Sequence, residues 1–355
     1  RAFALDASRH LGIAGKYPLA LALPDRWAAW WLGGVISGMR AIERFQPKIL
    51  WSTYPISTAH MIAATLAQRS GLPWIADFRD PMVNVGYPEN KLERKVRQRI
   101  ETLVMERAIC CVFTTERAAD LYRMRYPHAA AKCRVIENGY DEQAFTQATP
   151  TRQGISDDKL LLLHSGLIYP KDRDPSAFFA AINRLLLSGQ LERSKLCIRF
   201  RAPLHTEELS ELVASHGLSD VVDIAPPISY QEAIAEMLGA DFLLVFQGVQ
   251  FNAQIPAKIY EYLRARCPLI AMVDHRGVTA AQLRQFSAVN LADISSQDDI
   301  AAVMSRALIE FASPDQERAL DSNVQSVQRY SRATQAETLA SLFDTMHWAS
   351  IARND

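Results

Sequence analysis

A run of ten residues combines a proline, a lysine and a glutamate at helical spacing: Gln254-Ile-Pro-Ala-Lys258-Ile-Tyr-Glu261-Tyr-Leu263. Pro256 suits a first helical turn, where its missing N–H would have no partner. Lys258 and Glu261 lie three residues apart and so share one helical face. A cation at a helix start can meet a diphosphate, and a carboxylate there can accept ribose hydroxyls. The alternative is a surface ion pair between Lys258 and Glu261.

A second candidate loop begins at Gly166, directly after the apolar run Leu160–Ser165. A glycine at the end of a buried strand lets the backbone approach a phosphate, and a cation can neutralise the phosphate charge. Lys171 and Arg173 follow in the same loop. The alternative is a strand-end turn whose charges are solvated.

A third group of polar residues lies in the first half of the chain. Arg79 and Asp80 follow the apolar run Pro73–Phe78, and His60 lies near the start of a helical stretch. A structural ion pair between Arg79 and Asp80 is an equal alternative to a functional role. A single histidine is more often a capping or packing residue than a catalyst.

Strands that alternate with helices position these loops. Apolar runs at 48–53, 73–78, 108–114, 160–165, 195–201, 221–225, 241–246 and 268–273 are typical of buried parallel strands. Helices are expected between them, for example at 58–68, 116–125, 176–187 and 258–264. The Thr-, Pro-, Gly- and Asp-rich segment 148–158 is the best domain boundary.

The pattern predicts an α/β fold with two doubly wound Rossmann-like domains that face a cleft. Residues 1–150 form the first domain and 151–330 the second. Residues 331–355 form a helix that returns to the first domain. Open parallel sheets bind ligands beyond the carboxyl ends of their strands, where the three candidate loops lie.

Composition narrows the function classes. Of 355 residues, 49% are hydrophobic, and the formal net charge is zero, which gives no global electrostatic reason to expect nucleic acid. Five cysteines without a Cys-x-x-Cys pair favour free thiols in a reducing compartment. No secretory signal or apolar stretch of spanning length occurs, so a cytoplasmic protein is expected. Phosphate-loop, zinc-protease and nucleophile-elbow motifs are absent, and no metal or cofactor is expected.

Several short motifs together resemble glycosyltransferase family 4, which has the GT-B architecture. The resemblance covers most of the chain and includes a bacterial surface-polysaccharide branch of that family. The motifs are Ser52-Thr-Tyr-Pro with His60, Pro73-Trp-Ile-Ala-Asp-Phe-Arg79-Asp-Pro81, Asn138-Gly139-Tyr-Asp141 with Phe145, Leu163-His-Ser-Gly166, Gly239-Ala-Asp241 and Lys258-Ile-Tyr-Glu261-Tyr-Leu.

The resemblance implies transfer of a sugar from a nucleotide-sugar donor, a substrate and not a cofactor, to an acceptor hydroxyl. Retention of configuration and no bound metal are usual in this family. Glu261 would hold the donor ribose, Arg173 would bind the diphosphate and Lys258 would assist. His60 and Asp80, with Arg79 beside them, would face the acceptor or the transferring sugar.

Three departures from the family pattern affect the expected activity. Ala253 occupies the position where the family often has a second glutamate, and Leu167 replaces its first cation after the turn glycine. The family's opening strand and glycine-rich loop are not recognisable, so the first domain is expected to be incomplete at its N-terminus. An active glycosyltransferase is expected, and a chain inactivated by truncation is the alternative.

Other functions stay open. A nucleotide-sugar epimerase of similar shape would interconvert the donor sugar without an acceptor, and a non-catalytic binding or scaffold protein would bind a donor without turnover. The tryptophan-containing stretch Trp27–Met39 also suggests peripheral contact with the inner membrane, where lipid-linked acceptors occur. A helix packed on the sheet is the favoured alternative for that stretch.

Overall fold

The computed structural model describes residues 23–84, 87–168, 173–287, 289–312 and 327–351. The chain divides into two compact units. Unit 1 comprises Arg1–Glu137 and Ala336–Asp355, and unit 2 comprises Asn138–Gln335.

Unit 1 contains a parallel sheet with the strand order β1-β2-β3-β4. Its elements are α1 (Trp30–Phe45), β1 (Leu50–Thr53), α2 (Ser57–Ser70), β2 (Trp74–Arg79), α3 (Lys91–Arg107), β3 (Cys110–Phe113), α4 (Glu116–Arg125) and β4 (Cys133–Val135). The helices α2, α3 and α4 each cross between neighbouring strands, which parallel pairing requires. All four strands therefore direct their carboxyl ends to one edge of the sheet.

The core of unit 1 lies around β2 and β3. β2 is buried from Trp74 to Phe78, as expected for a central parallel strand covered on both faces. Phe78 and Phe113 stack with ring centroids 5.1 Å apart, and Tyr122 of α4 packs against both rings. This aromatic cluster fixes the end of β2.

Among the described residues, unit 2 contains thirteen helices and strands of the same alternating kind. They are α5 (Glu142–Gln147), β5 (Leu160–Ser165), α6 (Ser176–Leu187), β6 (Leu196–Arg201), α7 (Thr206–Ser215), β7 (Val222–Ala225), α8 (Tyr230–Gly239), β8 (Phe242–Gln247), α9 (Lys258–Ala265), β9 (Leu269–Val273), α10 (Val278–Leu283), β10 (Val289–Ala292) and α11 (Gln297–Ala312).

The strand order of unit 2 places a change of direction between two neighbouring strands. The parallel sheet has the order β10-β9-β8-β5-β6-β7. The chain therefore builds outward on one side from β5 and on the other side from β8. Such a switch point opens a crevice beyond the carboxyl ends of the two strands, where doubly wound sheets bind ligands.

Two apolar clusters cover the two faces of this sheet. One contains Phe178 and Phe179 of α6 with Phe200 of β6, and the other contains Tyr260 and Tyr262 of α9. The predicted fold class, an α/β fold with parallel sheets in two domains, is confirmed.

The last helix, α12 (Arg332–Ile351), belongs to unit 1 from Ala336 onward. Its side chains Leu339, Leu342 and Phe343 pack against a small buried cluster that includes Ile75 and Val112. The sequence analysis placed a C-terminal helix against the first domain, and these contacts lie within unit 1.

Residues 138–150 pack with unit 2, whereas the sequence analysis grouped them with the first domain. Tyr140 forms a parallel bridge with Ser331, and Glu142 accepts a 2.7 Å hydrogen bond from Arg264 Nε. Pro-, Gly- and Thr-rich composition marks where a chain is irregular, but these long-range contacts decide which core a segment joins.

Candidate functional site

The end of β5 turns at Gly166, next to the switch point. Gly166 has φ +111°, a left-handed conformation that side chains with a Cβ rarely adopt. A Cβ here would lie 3.1 Å from Lys258 Nζ. Glycine therefore allows both the turn and the close approach of the lysine.

Lys258 begins α9 and directs its ammonium group toward this turn. Its Nζ lies 3.1 Å from His164 Nε2. Burial, and then the positive charge of Arg173, lower the pKa of Lys258 to about 7, while Glu261 acts in the opposite direction. This lysine therefore changes charge near neutral pH.

His164 lies on β5 with no exposed surface. Its Nδ1 lies 2.9 Å from the carbonyl oxygen of Leu244. Burial, and then the charge of Lys258, hold the pKa of His164 well below its ordinary value, so the ring is neutral. The sequence analysis did not select this histidine.

Arg173 supplies a second cation to the loop after β5. Its Nη1 donates to the carbonyl oxygen of Leu167 at 3.2 Å, and its guanidinium lies 5.6 Å from the ring centroid of Phe251. Lys171, the other predicted cation of this loop, lies outside the described residues.

Glu261 is held by two residues that the sequence analysis missed. Tyr230 donates to Glu261 Oε1 at 2.9 Å, and Arg332 Nη2 lies 4.0 Å from the same oxygen. The Glu261 side chain is 14% exposed. Burial raises the pKa of Glu261, whereas Tyr230, Arg332 and Lys258 act to lower it. Lys258 contacts His164 instead, so the alternative of a simple Lys258–Glu261 surface ion pair is not observed.

The loop between β8 and α9 is held by side-chain hydrogen bonds. Gln247 donates to the carbonyl oxygens of Phe251 and Gln254, both at 2.9 Å. Asn252 donates to Asp274 Oδ2 at 2.6 Å, which joins this loop to the end of β9. These bonds fix the start of α9 and with it the position of Lys258.

These unit 2 residues form a cationic turn beside a half-buried carboxylate. Backbone at a glycine, an ammonium and a guanidinium are groups that bind phosphate oxygens. A carboxylate accepts hydroxyl hydrogens. The combination suits a ligand with a diphosphate at one end and a diol at the other.

In unit 1, β2 ends in a strained turn. Arg79 has φ +52°, unusual for a residue other than glycine, and the pairing register with β3 shifts between Asp77 and Arg79. Thr114 Oγ1 donates to the Arg79 carbonyl oxygen at 2.6 Å. Arg79 Nη1 lies 3.8 Å from Asp77 Oδ2, which is a long ion pair.

Asp80 follows this turn and is exposed. The pKa of its carboxyl is nonetheless raised above the ordinary value, because nearby protein atoms partly desolvate it. The positive charge of Arg79 acts in the opposite direction. Strained backbone next to an accessible carboxylate is a pattern found at active sites.

His60, by contrast, has no exposed surface. Its Nδ1 lies 2.7 Å from Ser52 Oγ, which also accepts from Trp74 Nε1 at 2.8 Å. Its ring lies 5.3 Å from that of Phe78, and burial lowers its pKa to about 3. This environment matches the packing alternative, because a fully covered ring cannot touch an acceptor without rearrangement.

The structure thus brings Gly166, Arg173, Lys258 and Glu261 together in unit 2, and Arg79 and Asp80 in unit 1. It adds three residues that sequence reasoning missed: His164, Tyr230 and Arg332. A histidine inside the apolar run Leu160–Ser165 was the only signal for any of them. Nothing in the sequence connects Tyr230 or Arg332 with Glu261.

None of the helices in the described residues is both long and apolar enough to cross a bilayer. No group of three or more histidine, cysteine, aspartate or glutamate side chains with the arrangement of a metal site occurs in that part of the chain.

Residues 5–139 match the family model of the glycosyl transferase 4-like domain. The chain carries a glycosyltransferase domain. No curated protein sequence matches the chain. The matched segment contains the strained turn at Arg79 and the neighbouring Asp80.

Solved structures show the fold of this glycosyltransferase. It is similar to α,α-trehalose 6-phosphate synthase from Burkholderia multivorans, with a TM-score of 0.71 and 12% identity over 96% of this chain and 78% of that one. Sucrose-phosphate synthase from Thermosynechococcus elongatus is also similar, with a TM-score of 0.69 and 14% identity over 96% of this chain and 82% of that one. HepE of Anabaena, solved in complex with UDP-glucose, has a TM-score of 0.65 and 14% identity over 88% of this chain and 82% of that one. The fold is the two-domain GT-B architecture.

Proposed function

We propose that this glycosyltransferase moves a sugar from a nucleotide-sugar donor to an acceptor hydroxyl with retention of configuration. One observation carries the proposal: Gly166, Lys258 and Arg173 converge at the switch point of the unit 2 sheet. HepE, which shares the fold, was solved with UDP-glucose, which supports a donor of this chemical class.

The donor's diphosphate lies against the Gly166 turn. Breaking the bond between sugar and phosphate develops negative charge on the departing diphosphate. Lys258 and Arg173 offset this charge, and that charge stabilisation is the main catalytic contribution. The two side-chain cations fill the role that a metal ion plays at other diphosphate sites.

Glu261 accepts hydrogen bonds from the ribose hydroxyls. Tyr230 donates to one carboxylate oxygen, Oε1, and Arg332 lies on the same side. They orient the carboxylate and leave Oε2 for the ligand. Ala253 lacks the second carboxylate that the family often has at this position. The fixed orientation of the Glu261 carboxylate partly offsets that loss.

Within unit 1, Arg79 and Asp80 are the residues to which we assign acceptor binding. The acceptor hydroxyl attacks the oxocarbenium-like sugar on the face that the diphosphate leaves. Its proton passes to the departing phosphate oxygen. Because attack and departure take place on the same face, the configuration of the sugar is retained. His60 is assigned no contact with the acceptor, because its ring is fully covered.

The acceptor is a sugar or a lipid-linked sugar of polysaccharide or glycolipid biosynthesis, and the reaction takes place in the cytoplasm. Peripheral contact with the inner membrane is supported by α1. Its inner face packs Val35 against Ile62 and Leu66 of α2. Its outer face leaves Trp30, Leu32 and Ile36 exposed by 50%, 65% and 55%.

Thermal-shift measurements with UDP-, GDP-, ADP- and CMP-sugars test donor binding, because a ligand stabilises the folded state that binds it. We expect one nucleotide series to raise the melting temperature, and Arg173→Ala and Glu261→Ala to remove most of that shift. Unchanged binding by both variants would contradict the proposed donor site.

Product analysis separates the reaction from its alternatives. Transfer predicts nucleotide release that depends on an added acceptor. A second nucleotide sugar formed from donor alone would indicate an epimerase. Binding without nucleotide release under any acceptor tested would indicate a non-catalytic protein.

A further inference from the structure

His164 lies in the core, yet it is bonded to the lysine of the donor site. We propose that His164 is a positioning residue that holds Lys258 Nζ beside Gly166, where the donor diphosphate binds. The inference rests on the proposed function, since it takes Lys258 as a diphosphate-binding cation.

The hydrogen bonds of His164 fix the direction of its bond to the lysine. The Leu244 carbonyl oxygen, 2.9 Å from Nδ1, can only accept, so Nδ1 carries the ring hydrogen. In a neutral ring Nε2 then has a lone pair and accepts from Lys258 Nζ at 3.1 Å. Phe200 and Phe246 contact the ring at centroid distances of 5.8 and 5.3 Å and restrict its rotation.

Lys258 requires such a partner because its surroundings do not otherwise orient it. A lysine side chain is a flexible chain with a compact charge at its end. Arg173 repels that charge, and Glu261 is engaged by Tyr230. The bond to His164 uses one N–H of the ammonium and leaves two for phosphate oxygens. The absence of a Cβ at Gly166 keeps the space beside the ammonium open.

The alternative is that His164 only fills the core between β5 and β8. In that case its replacement would lower stability and leave nucleotide affinity unchanged, or change affinity independently of Lys258. The two readings therefore differ in how the effects of the two residues combine.

The test replaces His164 with phenylalanine, which keeps an aromatic ring and removes the acceptor. UDP, GDP and ADP are titrated separately by calorimetry into the full chain. For the nucleotide that binds, we expect His164→Phe to raise Kd about tenfold, the range for a hydrogen bond to a charged group. His164→Gln, whose amide oxygen can accept near the Nε2 position, should restore most of the affinity.

The pH dependence of binding gives a readout that packing alone would not move. Lys258 is charged below its free-state pKa of about 7, so affinity should be constant there and fall above pH 7 as binding requires proton uptake. Arg173, Glu261 and His164 are the ionisable groups that face it. Without its acceptor the charged lysine is less stable, and His164→Phe should move the fall in affinity to lower pH.

Leu162→Val is the matched control, because Leu162 is buried on the same strand and face two residues earlier. It should lower the melting temperature and leave Kd and the pH profile unchanged. In a Lys258→Ala background, His164→Phe should have no further effect on Kd, since it acts through the lysine.

The outcomes separate the inference from the proposed function. If Lys258→Ala weakens binding and His164→Phe does not, or if the two effects add, the inference is wrong and the donor site stands. If no nucleoside diphosphate binds, or if Lys258→Ala leaves Kd unchanged, the donor site itself is wrong.

Discussion

At the residue scale, Arg79 combines backbone strain with a side chain that we assign to acceptor binding. A left-handed conformation costs a residue with a Cβ roughly 1–2 kcal/mol, and strain of this kind is concentrated at active sites. Thr114 donates a hydrogen bond to the carbonyl oxygen of Arg79, and the Arg79 side chain is 39% exposed. Stability and activity are therefore expected to respond oppositely to substitutions at this position.

We expect Arg79→Gly to change the free energy of unfolding by between zero and about +1 kcal/mol, because glycine adopts φ +52° without strain. Arg79→Ala should be less stable than Arg79→Gly by about 1 kcal/mol, since it keeps the strain. Both should lower the rate of sugar transfer at least tenfold, because both lack the guanidinium. Denaturant unfolding and a transfer assay measure the two effects. Equal stability of the two variants, or full activity of either, would contradict this account.

The donor-site residues show a second property at this scale. His164 and Tyr230 each contact a predicted ligand-binding residue and hold its polar group in one direction. Lys258 and Glu261 were recognisable because their spacing suits a ligand. Their partners were not, because a partner needs only to be near in space.

At the scale of elements, the packing of α1 on α2 depends on glycines. A Cβ at Gly38 would lie 2.6 Å from Leu66 Cδ1, whereas a Cβ at Gly33 would meet nothing within 4 Å. The two positions lie on different faces of one helix. They separate the helix face that packs from the face that is exposed.

We expect Gly33→Ala to raise the free energy of unfolding by roughly 0.5–1 kcal/mol, the gain of alanine over glycine inside a helix. Gly38→Ala should lower it by about 1–3 kcal/mol, since overpacking forces Leu66 to move. Chemical denaturation of the two variants provides the comparison. Stabilisation by both substitutions would show that α1 does not pack on α2 as described.

At the scale of the whole molecule, the exposed side of α1 and the absence of net charge bear on where the protein acts. Trp30, Leu32 and Ile36 are exposed on one helix, and Arg40 and Arg44 follow them. Apolar side chains beside basic residues favour the surface of an anionic bilayer. With zero formal net charge, any such attraction comes from this local arrangement.

Flotation with vesicles of phosphatidylethanolamine and phosphatidylglycerol tests this contact. We expect the triple variant Trp30→Ser, Leu32→Ser, Ile36→Ser to lower the vesicle-bound fraction severalfold, because it removes the apolar surface that would enter the interface. Leu187→Ser is the control, since Leu187 is 80% exposed in unit 2 and should have no effect. Equal flotation of the triple variant and the parent protein would remove the membrane proposal.

The sequence by itself determined the alternation of strands and helices. Apolar runs bounded by Gly and Pro are local features, so the helices Glu116–Arg125 and Ser176–Leu187 were predicted at their observed bounds. Four elements were not predicted from the sequence. The helix α11 has sixteen residues and lies beyond the last predicted strand, which ended at residue 273. The helices α5 and α10 have only six residues each, and the strand β10 has only four. Short elements carry too few periods to be recognised.

The sequence also determined the residue types of the donor site, since Lys258 and Glu261 lie within one turn of a helix and Gly166 ends an apolar run. Only the tertiary structure decided which residues are their partners. Strand order places β5 beside β8, although the paired residues Leu162 and Phe242 are 80 positions apart in the sequence. This pairing brings His164 close to Lys258. The tertiary structure also covered His60 completely and left Asp80 exposed. Hydrogen bonds between distant segments depend on how strands are arranged in the sheet, and no local pattern encodes that arrangement.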